Sequence, residues 1–346
     1  DHCSGLQVHM KYDRVTWQLG AAGEGTGRFG GQSMTGFGLL GAMRLGVSTT
    51  VVSKLIAGLG FNAQSQAGAS VVLLQFLWSG TRQVAAHFTA SKTLVLFCGS
   101  VAAAVASTGS AVLGGTSAWD FVEMEAYWHS TTGSCTVYVS DIPVVSFTGD
   151  TTNGAAASGL NQADWGFPLS GGTTPMAVDD FYVLDDQGST NTVRVGSTCR
   201  IRTYYPSADV TVSMTPLTGA SNWPMVDETG NWDSTTYVHA SAASTYDLYG
   251  LGSVVGSWSA NETPRGVQVV ATALTISGTA TIAVQLVLSG VTSRTASQAL
   301  STAYTQAHRL VGDTTPGGSA WRKMPARRCR ACRAQRARMA TSRTPS

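Results

Sequence analysis

WDFVEMEAYWHSTTGSCTVYVSDIPVVSFTGD, residues 119–150, is the stretch on which the fold turns. Residues alternate across a strand, so Trp119, Phe121, Glu123, Glu125 and Tyr127 share one face. Val122, Met124, Ala126 and Trp128 share the other, with Asp120 at the edge. The second set is the apolar one and is the expected core face. A Ser/Thr/Gly cluster then interrupts the pattern before a second β-rich run at 135–139. No 3.6-residue apolar period with caps occurs here or elsewhere in the chain.

The same texture extends outward on both sides. Residues 71–78 (VVLLQFLW), 83–88, 93–97 and 177–185 (AVDDFYVLD) are further expected strands, separated by Gly, Ser and Thr. Strands at such close spacing predict a sandwich or jelly roll. Residues 150–174 read as a long Gly/Ala/Asn/Thr loop, and 186–197 as a compositional hinge. A second β-rich block follows, with expected strands at 201–205, 235–239, 245–249, 266–276 and 280–288; Ser277-Gly278-Thr279 makes the turn between the last two. The expected organisation is two β modules, 1–198 and 199–321, and a basic, irregular tail over 322–346.

Composition agrees with an all-β chain. Only 12% of the 346 residues are charged, about half the usual share of roughly 25%. The net charge of +2 conceals an asymmetry: nine of the 22 basic residues follow Trp321, where there is no acid. The body keeps 13 basic against 20 acidic residues, a net of −7, a poor surface for nucleic acid. Six scattered cysteines form no dense disulfide framework. The uncharged stretch 93–119 is broken by Gly99, Gly109, Gly114 and Gly115. It reads as strands and turns, and no membrane partner is expected.

With the strands placed, a resemblance is visible. Trp119–Thr148 resembles the late strands of the concanavalin A/laminin-G-like jelly roll. Val178-Asp179-Asp180-Phe181-Tyr182-Val183 resembles its closing strand, and Arg28-Phe29-Gly30-Gly31 its opening element. Residues 185–189, 200–209 (RIRTYYPSAD) and 223–228 (WPMVDE) are similar to bacteriophage virion proteins that join such a module to a second β domain. The resemblance implies a jelly-roll sandwich followed by a smaller β-sandwich-like module. It implies a structural or adhesive, non-enzymatic virion component: a tail-associated, fibre or capsid-decorating subunit. Its partners would be other virion proteins, host surface glycans and further copies of itself. The tail departs from that group, and both a genuine basic extension and a shifted reading frame would produce it.

Because the fold includes glycosidases, the catalytic pair must be sought. Retaining enzymes place two carboxylates about 5–5.5 Å apart across the scissile bond. Glu123 and Glu125 lie on the matching strand, but Phe121 and Tyr127 stand where a third carboxylate belongs, so no catalytic residues are expected and a secreted glycoside hydrolase ranks last. Trp119, Phe121, Glu123, Glu125 and Tyr127 together form an aromatic and acidic face suited to a glycan, as in a carbohydrate-binding module, or equally to a subunit interface. Asp179 and Asp180 are candidate oxygen ligands for Ca²⁺, but alternation places them on opposite faces, which favours a structural role. No other cofactor is expected. Gly23–Gly27 lacks the lysine of a phosphate loop and reads as a turn. Cys329-Arg330-Ala331-Cys332 is a lone pair without partners for zinc.

Overall fold

In the computed structural model, Asp120–Tyr127 is a strand whose Val122, Met124 and Ala126 enter the core. The structure describes residues 14–18, 22–26, 28, 32–36, 44–62, 70–99, 103–114, 118–153, 158–165, 167–168, 176–187, 191–201, 204–227, 236–242, 244–251, 265–288, 290–302, 305–310, 318 and 333–342. Cys329 and Cys332 lie outside them. The chain divides into two compact units, Asp1–Ile201 and Arg202–Ser346.

The first unit contains fifteen described strands. They are β1 (Arg14–Gln18), β2 (Ala22–Thr26), β3 (Gln32–Gly36), β4 (Arg44–Val52), β5 (Lys54–Asn62), β6 (Val71–Trp78), β7 (Thr81–Phe88) and β8 (Leu94–Cys98). After these come β9 (Ala106–Ser107), β10 (Asp120–Tyr127), β11 (Gly133–Val139), β12 (Ile142–Gly149), β13 (Leu160–Trp165), β14 (Phe167–Pro168) and β15 (Met176–Asp185). An eight-stranded antiparallel sheet runs β1-β4-β13-β6-β7-β8-β9 with β14 added to β6; a seven-stranded sheet runs β12-β11-β10-β5-β15-β3-β2. The non-sequential order of both sheets is that of a jelly-roll sandwich, the expected fold class.

The two inner faces supply one core. Leu59, Phe61, Val122, Met124, Val137 and Phe181 come from one sheet, and Leu73, Phe76, Val84, Phe88, Leu96 and Trp165 from the other. Each fully buried side chain of this size contributes about 1.5–3 kcal/mol. The apolar run that opens β6, Val71–Leu74, has a local cause: its register with β7 shifts at Val72/Leu74, so Leu73 and Leu74 both turn inward. Residues 150–174 are not one continuous loop. β13 lies within them, between β4 and β6, because Leu160, Ala163 and Trp165 are apolar enough to bury despite the Gly/Ala/Asn surroundings. Gly23–Thr26, expected as a turn, belongs to β2 and pairs with β3.

The second unit contains β16 (Pro206–Thr211), β17 (Thr215–Pro216), β18 (Val238–His239), β19 (Thr245–Leu251), β20 (Gln268–Ala273), β21 (Thr279–Leu288), β22 (Val291–Arg294), β23 (Gln298–Ala299), β24 (Thr305–Leu310) and β25 (Arg333–Ser342). A six-stranded sheet runs β16-β19-β25-β21-β22 with β23 on β21; β17–β18 and β20–β24 form separate pairs. Its cores are smaller, one around Ile282, Val284 and Leu286 and another around Leu248 and Tyr249. The expected irregular tail is corrected here, since β25 bridges β19 and β21. Backbone pairing needs no particular side chain, so Arg and Ala do not prevent it. The expected strand at 201–205 is absent among its described residues. No helix of the described residues is long and apolar enough to cross a membrane.

Candidate functional site

The outer face of β10 divides into a covered half and an open half. In the covered half, Glu123 and Tyr182 lie on either side of Gly58. A Cβ on Gly58 would come within 2.5 Å of the Tyr182 ring, so glycine is what lets the tyrosine lie flat on the sheet. Tyr182 donates its hydroxyl hydrogen to Glu123 Oε1. Arg194 Nη1 donates to Glu123 Oε2 at 2.6 Å, and Gly196 N–H donates to Oε1 at 2.9 Å. The Arg194 guanidinium also stacks 3.5 Å from the centre of the Tyr138 ring. Glu123 is 0% exposed.

Two of these donors, Arg194 and Gly196, come from the segment expected to be a hinge. Residues 192–201 instead cross the sheet as a strap, fastened through side-chain-to-backbone hydrogen bonds. Val195 N–H donates to the Tyr182 hydroxyl at 3.1 Å, Ser197 N–H to Asp141 at 2.9 Å, and Ile201 N–H to Asp180 at 2.8 Å. Beneath it Ile56, Phe121, Tyr182 and Leu184 form a small apolar cluster with the strap's own Cys199, and Val195 and Ile201 pack on it. Phe121 and Glu123 therefore cannot meet a glycan with the strap in place, and Trp119 is half-buried. The sequence offered no sign of this, because the strap begins inside the Gly/Ser/Thr-rich stretch 186–197 and its bonds run to distant side chains.

The two aspartates also differ from expectation. The register of β15 on β5 shifts between Asp179 and Tyr182, and Asp180 takes a left-handed φ of 50°. The bulge breaks alternation, and both carboxylates end up buried beside Arg28. Asp179 accepts from the Arg28 and Asp180 backbone N–H groups, each at 2.8 Å; Asp180 lies 3.7 Å from the guanidinium. Burial, with the Asp179 charge adding to it, pushes the Asp180 carboxyl up to about 7. Among the described residues no group of three or more His, Cys, Asp or Glu side chains could hold a metal ion.

The open half lies at the other end of β10. Tyr127 is 40% exposed, its ring within 9° of parallel to His129 with centroids 6.2 Å apart. Glu125 pairs with Lys54 at 2.5 Å. Register places Ser134 and Thr148 beside Tyr127, and Thr136 and Ser146 beside Glu125. His129 Nδ1 accepts from the backbone N–H groups of Thr131 and Thr132 at 3.1 and 3.0 Å, which leaves Nε2 as the protonated nitrogen of the neutral ring. Thr151 pins this end of β10: it accepts from His129 N–H and donates to Tyr127 O, both at 3.0 Å. Its hydroxyl lies where a Cβ on Gly133 would stand. The result is a fixed tyrosine platform flanked by a carboxylate, an ammonium and four hydroxyls.

The outer face of the eight-stranded sheet holds buried polar groups as well. Asp164 accepts from Gln162 Nε2 at 2.8 Å and Gln75 Nε2 at 3.4 Å. His87, 5% exposed, packs on Phe97 with ring centres 4.2 Å apart, and its Nε2 has no hydrogen-bond partner. Burial, reinforced by the Arg82 charge, lowers its pKa from 6.5 to about 4. The unfolded chain therefore takes up this proton first, and stability falls as pH drops from 6.5 toward 4. The shift corresponds to at most about 3 kcal/mol. In His87→Leu the loss between those pH values should shrink by that amount in urea titrations; an unchanged pH slope would refute the assignment.

No family model and no curated protein matches the chain. Among solved structures it is similar to an endo-β-1,4-glucuronan lyase from the fungus Trichoderma reesei, with 12% identity and a TM-score of 0.36 over 51% of this chain and 95% of that one. It is also similar to an alginate lyase solved with an alginate trisaccharide (10%, TM-score 0.34, 47% and 82%). A Trypanosoma rangeli sialidase matches at 15% and TM-score 0.31, over 42% of this chain and 24% of that one. These neighbours are enzymes, not virion proteins. That finding corrects the expectation of a structural or adhesive phage component, and with it the expectation of a non-enzymatic chain.

Proposed function

We propose that the chain recognises carbohydrate, and that the open half of the β10–β11–β12 face is its contact surface. The observation that carries this reading is the exposed Tyr127 ring, held at the end of β10 beside the Glu125–Lys54 pair and the hydroxyls of Ser134, Thr136, Ser146 and Thr148. An aromatic face stacks on the C–H face of a pyranose, while carboxylate, ammonium and hydroxyl groups bond its ring hydroxyls. The paired charges of Lys54 and Glu125 favour a neutral sugar over a strongly anionic one at that position. The covered half contributes rigidity: the strap holds β10 from the adjacent side, so the platform is preorganised.

Glycan-array binding by the full chain tests this reading. Tyr127→Ala should weaken retention on whichever neutral glycans bind by about tenfold, the scale of one lost stacking contact. Binding that is indifferent to Tyr127 would remove this surface from consideration. Incubating the retained glycans and measuring newly released ends separates recognition from turnover.

A further inference from the structure

β12 is the outermost strand of the seven-stranded sheet and is uncharged throughout, IPVVSFTG. Such an edge presents unpaired N–H and C=O groups, which soluble proteins usually blunt with lysine, proline, bulges or a cover. Here the protection is confined to the start of the strand. Pro143 lacks an N–H, and the register with β11 shifts between Val137 and Tyr138. That shift leaves Val144 as the bulged residue; beyond it, residues 145–148 carry neither charge nor proline, and among the described residues no strand pairs with their outer side.

We propose that β12 pairs antiparallel with β12 of a second copy of this chain, about a two-fold axis at Ser146, making one continuous sheet of the two. A two-fold contact requires a surface complementary to itself, and this strand satisfies that. Ser146 meets its own counterpart, and Val145 meets Phe147. Hydroxyl pairs and aromatic–aliphatic pairs are favourable across strands, and no charge opposes a like charge. The same lack of charge gives the edge nothing with which to select a charged peptide. A ladder of three residues per copy is small, so the dimer is weak and concentration-dependent. Ser146 and Thr148 also belong to the proposed glycan surface, so pairing sets two such surfaces side by side; that consequence alone rests on the carbohydrate reading.

Sedimentation velocity of the full chain without glycan, from about 1 to 100 µM, tests the pairing. The wild type should pass from monomer to dimer over this range. Ser146→Lys places two ammonium groups on the axis and should weaken association at least about tenfold. An equimolar mixture of Ser146→Lys and Ser146→Glu should restore it, which a misfolded variant would not do. A wild type that stays monomeric, or a Ser146→Lys protein that dimerises like the wild type, overturns the proposal. Because no sugar is present, neither result depends on the carbohydrate reading.

Discussion

Glu123→Ala should cost the first unit about 3–5 kcal/mol, the usual consequence of removing one partner from a buried ion pair. The carboxylate accepts from Arg194, Gly196 N–H and the Tyr182 hydroxyl. Alanine would leave all three donors facing a cavity, and the strap would lose its central fastening. At about 2–4 °C per kcal/mol for a unit of this size, the melting temperature should fall by about 10 °C. Arg194→Ala should cost less, because its side chain is 24% exposed and water can reach the carboxylate it leaves. Hydrogen exchange provides the local check: the Val195 and Gly196 amides should lose protection in Glu123→Ala. A loss below about 1 kcal/mol, the scale of an exposed pair, would contradict the buried-clasp assignment.

The same residue shows how far the sequence was legible. Alternation at 119–128 correctly separated Val122, Met124 and Ala126, which entered the core, from the face carrying Glu123, Glu125 and Tyr127. Periodicity reports which residues share a face, but not what lies on that face. Whether Glu123 was solvated depended on residues 192–201, about 70 positions away, which begin inside a Gly/Ser/Thr-rich stretch, 186–197, that resembles a linker. Alternation also fails wherever a bulge inserts a residue, as at Asp180 and between Val72 and Leu74. β13 was hidden because only three of its six residues bury apolar side chains. Tyr127 and Glu125 were legible as site candidates because they project from the end of a regular strand. Lys54 and His129 were not, since neither shares a sequence pattern with them.

Asp247→Ala should be at least as damaging to the second unit. Asp247 is 0% exposed on β19. Its Oδ1 accepts from Ser213 N–H and Met214 N–H, each at 2.8 Å. Its Oδ2 accepts from Asn222 Nδ2 at 2.5 Å and the Tyr249 hydroxyl at 2.7 Å. Asn222 Nδ2 also donates to Met214 O at 2.9 Å, and its backbone N–H donates to Asp209 at 2.9 Å. One side chain thus closes the turn after β16, holds the approach to the 3₁₀ turn at Trp223–Met225 and anchors Tyr249 on its own strand. Burial, with the Asp247 bond adding to it, pushes the Tyr249 hydroxyl well above the usual tyrosine range, so it remains a donor. Leaving buried donors unsatisfied costs about 1–3 kcal/mol each, and neighbouring losses do not simply add. For four donors the expected total is about 4 kcal/mol or more. Asp247→Asn keeps the shape but turns an amide toward at least one donor, so it should recover only part of the loss. The amides of Ser213 and Met214 should exchange fast in Asp247→Ala while those of Val195 and Gly196 keep their protection, and the Glu123→Ala protein should show the converse. Retained protection at Ser213 and Met214 would mean that the carboxylate is not the centre of this network.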